Sequence, residues 1–404
     1  MKKYNYSIFT GLLPVFVLGF VSHMIPYIYI PSLPQIAECL DLGQSNTTTL
    51  MSSYYLSMSL SLLLTGMVGD RWDKRYLLYV ASALITIGAV VASFRPLYYL
   101  ILAGWSFQGI GAGIITVVSQ TWIGQSSERH NITSRFSYMS IVLSLAPLVA
   151  PVIGGLITET YSWKYNFYTM GVLSLLTAIL IYRASPPKAI TDNGISIRHT
   201  LHDYIRLLCR TIFLPIITAS LVCFMFQGAL MAYSSFLFID QLGLSPAIYG
   251  FISVPVVTGC IIGSLSVMYI EKRLNIEAAF IFSTIIAVVA LLASLLFYMV
   301  TGTHTVTELA LVILIFSIGF GAHTLLAIRN VMTYFKSQRS QSSALVNFLN
   351  QFIGYIAVLS VQILFIFMGS AMAIHNMACA FTVVLLIIST LLYMKCIRIY
   401  EISL

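Results

Sequence analysis

"GMVGDRWDKR" (66–75) sets five charges, Asp70, Arg71, Asp73, Lys74 and Arg75, into six positions between two apolar runs. Only 8% of the 404 residues are charged, so such a cluster interrupts an otherwise greasy chain. The runs on either side, 48–69 and 76–94, each have the ~20 residues that a helix needs to cross a bilayer core. Similar runs recur at roughly 8–30, 97–120, 134–158, 165–183, 211–238, 247–270, 277–300, 308–330, 342–368 and 371–395. At 59% hydrophobic residues the chain lies above the ~45–50% of soluble domains. The pattern predicts an all-α polytopic membrane protein with twelve transmembrane helices.

The net charge of +8 invites comparison with nucleic-acid binders, but its distribution excludes that class. Taking the N-terminus as cytoplasmic places every Lys and Arg except Arg95 and Lys164 in segments on the cytoplasmic side. Basic residues gather there in membrane proteins, so the excess reports topology. "MKKYNYSIF" begins like a signal peptide, yet its apolar run is too long and no small-residue cleavage site follows, which makes it a retained first span. The cysteines lie mostly in or beside spans and imply neither a disulfide nor a metal centre. No cofactor-binding pattern is present.

The long segment 184–210 divides the chain into two six-span halves, 1–183 and 211–404. Within it, "SIRHTLHDYIRLL" spaces Ile197, Leu201, Ile205 and Leu208 as the apolar face of a short amphipathic helix. Two such halves on a basic linker suggest alternating access around a site near the midplane.

Here the residues resemble the major facilitator superfamily. Gly66, Asp70, Arg71, Lys74 and Arg75 match its loop between spans two and three, with Asp73 where a second glycine is expected. The resemblance implies a cytoplasmic gate at this cluster. "YIEKRL" (269–274) is its faint counterpart in the second half. "LAPLVAPVIGG" (145–155), with Pro147, Pro151, Gly154 and Gly155, resembles the fifth-span motif of exporters that work as antiporters. "YIYIPSLPQIA" (27–37), "YSWKYNF" (161–167) and "SSFLFIDQLGLSPAIYGF" (234–251) resemble the Bcr/CflA branch of drug:proton antiporters. Monomers are usual in that family.

Two departures bear on coupling. Tyr27 stands where that branch usually has an acid, and Trp105 where the fourth-span pattern has arginine, although Gln108 fits the same pattern. By these spans every Asp and Glu lies in a loop or at a helix end, as the cost of a carboxylate in lipid leads one to expect. Imidazole titrates near neutrality, so His23 in span one and His323 in span ten are the candidates for carrying a coupling proton. His375 reads as peripheral.

Span eleven has a polar stripe, Asn347, Asn350, Gln351, Gly354 and Tyr355, at helical spacing. With Tyr27, Trp105, Gln108, Phe224 and Gln227 it predicts a wide aromatic pocket with neutral hydrogen-bonding groups. The expected activity is proton-linked export of small organic molecules across a bacterial inner membrane, both termini cytoplasmic. The alternative is dedicated movement of one metabolite class (a siderophore, amino acid or peptide), with or without protons. No HExxH or GxSxG pattern is present, which argues against an enzyme.

Overall fold

A computed structural model describes residues 8–68, 72–126, 132–183, 197–335 and 339–402. In chain order the helices are α1 (Ile8–Ile28), α2 (Leu33–Cys39), α3 (Gln44–Val68), α4 (Lys74–Phe94), α5 (Tyr98–Ser126), α6 (Ile132–Thr160), α7 (Trp163–Arg183) and α8 (Ile197–Leu208). They continue with α9 (Phe213–Ser235), α10 (Pro246–Gly250), α11 (Ser253–Arg273), α12 (Ile276–Thr301), α13 (Val306–Tyr334), α14 (Arg339–Met368) and α15 (Ala371–Ile402). There is no strand among the described residues. A lipid-facing backbone must satisfy its own polar groups, and helices do so without neighbours.

Ten of these segments are long and apolar enough to cross a membrane. The expectation was twelve; α3 and α6 fall outside the ten, for different reasons. In α6 the described apolar stretch, Leu145–Thr160, is short. In α3 ten Ser and Thr residues depress the hydropathy. Many of those hydroxyls donate to carbonyls three or four residues back, as Thr48 does to Ser45 (2.7 Å) and Ser57 to Ser53 (2.7 Å). That of Ser61 reaches across to the Ile110 carbonyl on α5 (2.8 Å). Both helices nevertheless pack inside the bundle, α3 along α5 and α14, α6 along α1.

The helices fall into two packed sets. In the first, α1 meets α5, α6 and α7, and α4 meets α5 and α7; in the second, α9 meets α13, α14 and α15, and α11 meets α12 and α13. The seam is made by α3 against α14 and by α6 against α10 and α11. Large apolar side chains such as Leu175, Ile179, Ile285, Leu296 and Leu391 are exposed on the outer faces. In water so much apolar surface would aggregate; against lipid tails it is ordinary.

Charge separates the two ends. Lys74, Arg75, Arg206, Arg210, Lys272, Arg273, Arg329 and Lys395 share the end that carries α8, while Arg95 and Lys164 lie at the other. Lys74, the first residue of α4, is fully buried, and Asp73 caps that helix by accepting the Arg75 N–H (2.8 Å). Asp70 and Arg71 lie outside the described residues. In the second half Glu271 on α11 pairs with Arg329 on α13. Helix α8 turns differently from its sequence pattern. Tyr204 and Leu207 are buried against the bundle, whereas Leu201 (43%) and Ile205 (51%) are exposed, so apolar side chains leave it in two directions. Its Tyr204 hydroxyl comes to Gly66, and Gln341 on α14 donates to Asp203 (3.3 Å), so α8 touches both sets.

The opposite end is elaborated. After α1 the chain makes a 3-10 turn, Ile30–Ser32, before α2; α9 ends in a π-turn, Phe236–Gln241. The span expected at 247–270 is broken, with α10 separated from α11 at Phe251–Ile252.

Candidate functional site

A cavity of about 540 Å³ lies on the seam, walled by α1, α3 and α6 on one side and by α9, α11, α13 and α14 on the other. Tyr27, Tyr55, Gln227, Asn350, Gln351 and Ser264 supply its polar groups, and Phe224, Phe320, Met231, Pro147, Val256 and Ile261 much of its apolar wall. Among the described residues no charged side chain lines it. Phe224 and Phe320 meet edge to face at 5.0 Å between centroids, an arrangement that aromatic rings favour. The Tyr55 hydroxyl donates to the Met231 thioether (3.2 Å) across the seam. A smaller void of about 50 Å³ continues past Tyr27 and Gln227 to Ser234 and Tyr249.

Beyond that void the cavity is closed by α10 lying on α6. Gly155 on α6 and Gly250 on α10 make the contact possible, a Cβ on Gly250 having to enter the space of the Pro151 carbonyl, while Gly154 does the same for α1. A Cβ on Gly154 would run into the Ile28 carbonyl of α1, and one on Gly155 into the Pro246 carbonyl of α10. The contact carries polar clasps as well. Glu159 Oε2 accepts the Ala247 N–H (2.9 Å), which holds this exposed carboxyl below its ordinary range. The Ser253 hydroxyl donates to the Leu148 carbonyl (3.1 Å), and the Ser234 and Tyr249 hydroxyls are 2.6 Å apart. Both prolines of the motif stay inside a continuous α6, and both face the void.

Of the residues expected around the pocket, Tyr27, Phe224, Gln227 and Gln351 line it. Six others do not. Trp105 is buried edge-on to Tyr29 (5.3 Å), in an aromatic cluster with Phe167. Gln108 is fully buried beside the Tyr29 phenol. Asn347 and Tyr355 share α14 with Asn350 and Gln351 but are not among the lining residues, Asn347 lying a turn earlier and Tyr355 meeting Phe352 (5.9 Å). His23 turns back on its own helix, its Nδ1 3.0 Å from the Gly19 carbonyl. His323 is buried between α12, α13 and α15, with Nε2 3.2 Å from the Thr284 hydroxyl and Phe280 edge-on at 4.8 Å.

Two placements escaped the sequence reading. Tyr55 sits in the Ser/Thr-rich α3, where weak amphipathicity hides which face turns inward; adjacent mid-span phenols at Tyr54 and Tyr55 were the available signal. His375 is no peripheral residue. It is 1% exposed, with Nδ1 2.9 Å from the Tyr233 hydroxyl and Nε2 3.1 Å from that of Ser294.

A helical bundle coated in apolar side chains, with a solute-sized cavity on the seam between two helix sets, is the architecture of a membrane transporter, not of an enzyme. Residues 15–359 match the profile of the Major Facilitator Superfamily, and the chain belongs to that family. It is 23% identical to the "uncharacterized MFS-type transporter YcnB" of Bacillus subtilis over 76% of this chain and 60% of that protein. It is 29% identical to "multidrug resistance protein MdtL" of Escherichia coli over 41% of this chain and 43% of the relative. With "multidrug resistance protein D" of Escherichia coli it shares 27% identity over 40% and 41%. The chain thus aligns with between two fifths and three fifths of the length of these relatives. Among solved structures, a POT family transporter in complex with 5-aminolevulinic acid superimposes with a TM-score of 0.77 at 14% identity, covering 95% of this chain and 96% of that one. A D-xylose-proton symporter does so with a TM-score of 0.73, also at 14% identity, covering 95% and 96%. At such identities the likeness is one of fold.

Proposed function

We propose that this protein exports small, neutral, zwitterionic or weakly charged organic molecules, such as drugs, by alternating access in exchange for protons. The observation that carries the reading is the cavity itself: about 540 Å³, aromatic and amide-lined, with no charged group among the described residues of its wall. Aromatic faces and adaptable amides suit varied solutes, whereas a permanent cation would find cation–π faces but no buried acid. The names of the Escherichia coli relatives point the same way, as do the span-five motif and the resemblance to the Bcr/CflA branch. In this reading all twelve long helices cross the bilayer. Segments 1–183 and 211–404 are the bodies that rock, and 184–210 is the tether. The basic end faces the cytoplasm of a bacterial cell with both termini inside, the charge cluster at Gly66–Arg75 guards that end, and the working unit is a monomer. Neither His23 nor His323 is among the residues lining the cavity, so a proton on either would act through neighbouring helices.

A second reading is favoured by Tyr27 and Trp105, which stand where the resembling branch carries an acid and an arginine: a transporter dedicated to one metabolite class, without proton coupling. Thermal melting of the protein in mild detergent against amphenicols, lipophilic cations, peptides, amino acids and siderophores separates the two. A ligand at 100 times its Kd stabilises by ~2.7 kcal/mol if it binds only the folded state. Shifts with several unrelated drugs support the exporter. A shift with one metabolite class alone supports the dedicated transporter and overturns polyspecific export.

A further inference from the structure

At the end of the bundle away from α8, a chain of hydrogen bonds runs from the surface to the buried face of α9. Glu308, in the first turn of α13, is 11% exposed through its side chain. Its Oε2 is 3.0 Å from His304 Nδ1, and its Oε1 accepts the Ser294 hydroxyl of α12 (2.8 Å). His304, in the turn between α12 and α13, is 3% exposed; its Nε2 is 2.9 Å from Asn376 Oδ1 on α15, and the Tyr298 ring stacks on it at 5.1 Å. Ser294 leads on to His375, and His375 to Tyr233.

One arrangement of protons satisfies every group. Ser294 O–H points to Glu308, so His375 Nε2–H points to Ser294 and Tyr233 O–H to His375 Nδ1. Both nitrogens of His304 face oxygen acceptors, and a ring nitrogen can meet an acceptor only as a donor. As an imidazolium His304 donates from Nδ1 to the Glu308 carboxylate and from Nε2 to the Asn376 amide oxygen. The other titratable groups that meet this cluster are Tyr233, Tyr298, His375 and Cys379; Asp240, on the neighbouring π-turn, is set against Glu38 instead. Among the described residues no trio of ligating side chains converges for a metal.

The far end of the chain touches the closure of the cavity. Tyr233 is followed by Ser234, whose hydroxyl meets Tyr249 of α10, and α10 is the piece wedged against α6. We propose that His304 is a proton-binding site, loaded from the surface at the α12–α13 turn, and that its charged form holds α9 and α10 in the closed position described above. This rests on the transporter reading only in supposing that the α6–α10 contact opens and closes. Because it binds and releases its proton at one end, this site governs closure and does not itself carry the coupling proton. When the proton leaves His304 for solvent, its charge pairing with Glu308 is lost, and the ring keeps its contact to Asn376 only if that amide turns over to donate. The clamp between α13 and α15 is then weaker.

The test measures that movement with no solute present. Spin labels are placed at Tyr161→Cys and Ile248→Cys, both exposed and on opposite sides of the α6–α10 contact. The background carries Cys39→Ser, Cys209→Ser and Cys396→Ser, and Glu159→Gln to remove the other acid on this contact. The protein is held in lipid nanodiscs, and the distance between labels is followed as pH rises from acid to alkaline. The expected result is a lengthening with pH, absent in His304→Gln and moved to lower pH in Glu308→Gln, because an imidazolium without its counter-charge loses its proton sooner. Thermal melting confirms that each variant is folded; the shifted midpoint in Glu308→Gln remains decisive should His304→Gln not fold. A distance independent of pH in the parent protein overturns the proposal, and so does the same pH response in Glu308→Gln. Either result leaves the choice of exported solute to the melting experiment, which does not depend on this site.

Discussion

Where a side chain at position 155 would stand, there is a backbone carbonyl. Gly155→Leu is expected to cost about 1–3 kcal/mol as long as α10 stays down on α6, the usual range for overpacking. The bundle can avoid that cost by opening, so the label distance across the contact should lengthen while the melting temperature falls little. On the cavity wall Gln351 offers one neutral hydrogen-bonding group. Gln351→Leu should weaken binding of a hydrogen-bonding solute by ~1 kcal/mol, about fivefold in Kd, and leave melting of the free protein unchanged. His323→Gln should leave transport near its starting rate, measured as solute uptake into inverted vesicles, since that ring is spent on Thr284 and Phe280. Only some of this was legible in the sequence. Tyr27, Phe224, Gln227 and Gln351 could be chosen because a polar or aromatic group in a span must face something other than lipid. Trp105, Gln108 and His323 obey the same rule, yet face neighbouring helices. Helical spacing gives a stripe about a third of a turn wide; Tyr355 falls on its edge, and Asn347 lies within it but a turn before the residues that line the cavity.

Helix α10 is the element on which closure turns, and a five-residue helix is small for that task. Its hold comes from packing on glycines and from Glu159, whose carboxylate accepts the first free N–H of the short helix, where negative charge is favoured. The Glu159 carboxyl lies below its ordinary value, so its contribution is full above the unfolded value, about 4.3 for glutamate, and is lost as pH falls through the lowered one. Closure should therefore weaken in acid in the parent protein and show no such acid limb in Glu159→Gln, read as label distance against pH. The sequence marked both partners, the proline–glycine motif and the 234–251 stretch, without showing that they touch. Their touching residues, Gly155 and Pro246, lie 91 positions apart, and periodicity carries no information at that range. Helix α8 shows the converse limit. Its spacing gave a helix correctly, but Leu201 and Ile205 point away from the bundle, because an interfacial helix has two apolar neighbours, protein and bilayer.

Hydropathy read the whole molecule well because lipid leaves the chain so few options. Helices, their ends and the separation of charge follow from transfer energies that are local in sequence. The cavity and the surface relay do not, since both are made where four or more helices meet. His304 and Glu308 looked like residues of an outer turn, and only the arrival of Ser294, Asn376 and His375 from two other helices makes them a site. Helix α3 carries a consequence of another kind, for the making of the protein. With ten Ser and Thr residues, it is a poor substrate for the machinery that passes nascent segments sideways into lipid one at a time. Most of those hydroxyls are bonded once folded, to its own carbonyls or to α5, but those partners are unavailable to a segment emerging alone. A fusion truncated after Val68 should thus leave α3 stranded on the synthesising side, whereas one extended through α5 should carry it across, as read by a reporter that matures on the far side only. The order of synthesis then matters: α3 waits at the exit for the partners that make it fit for a membrane.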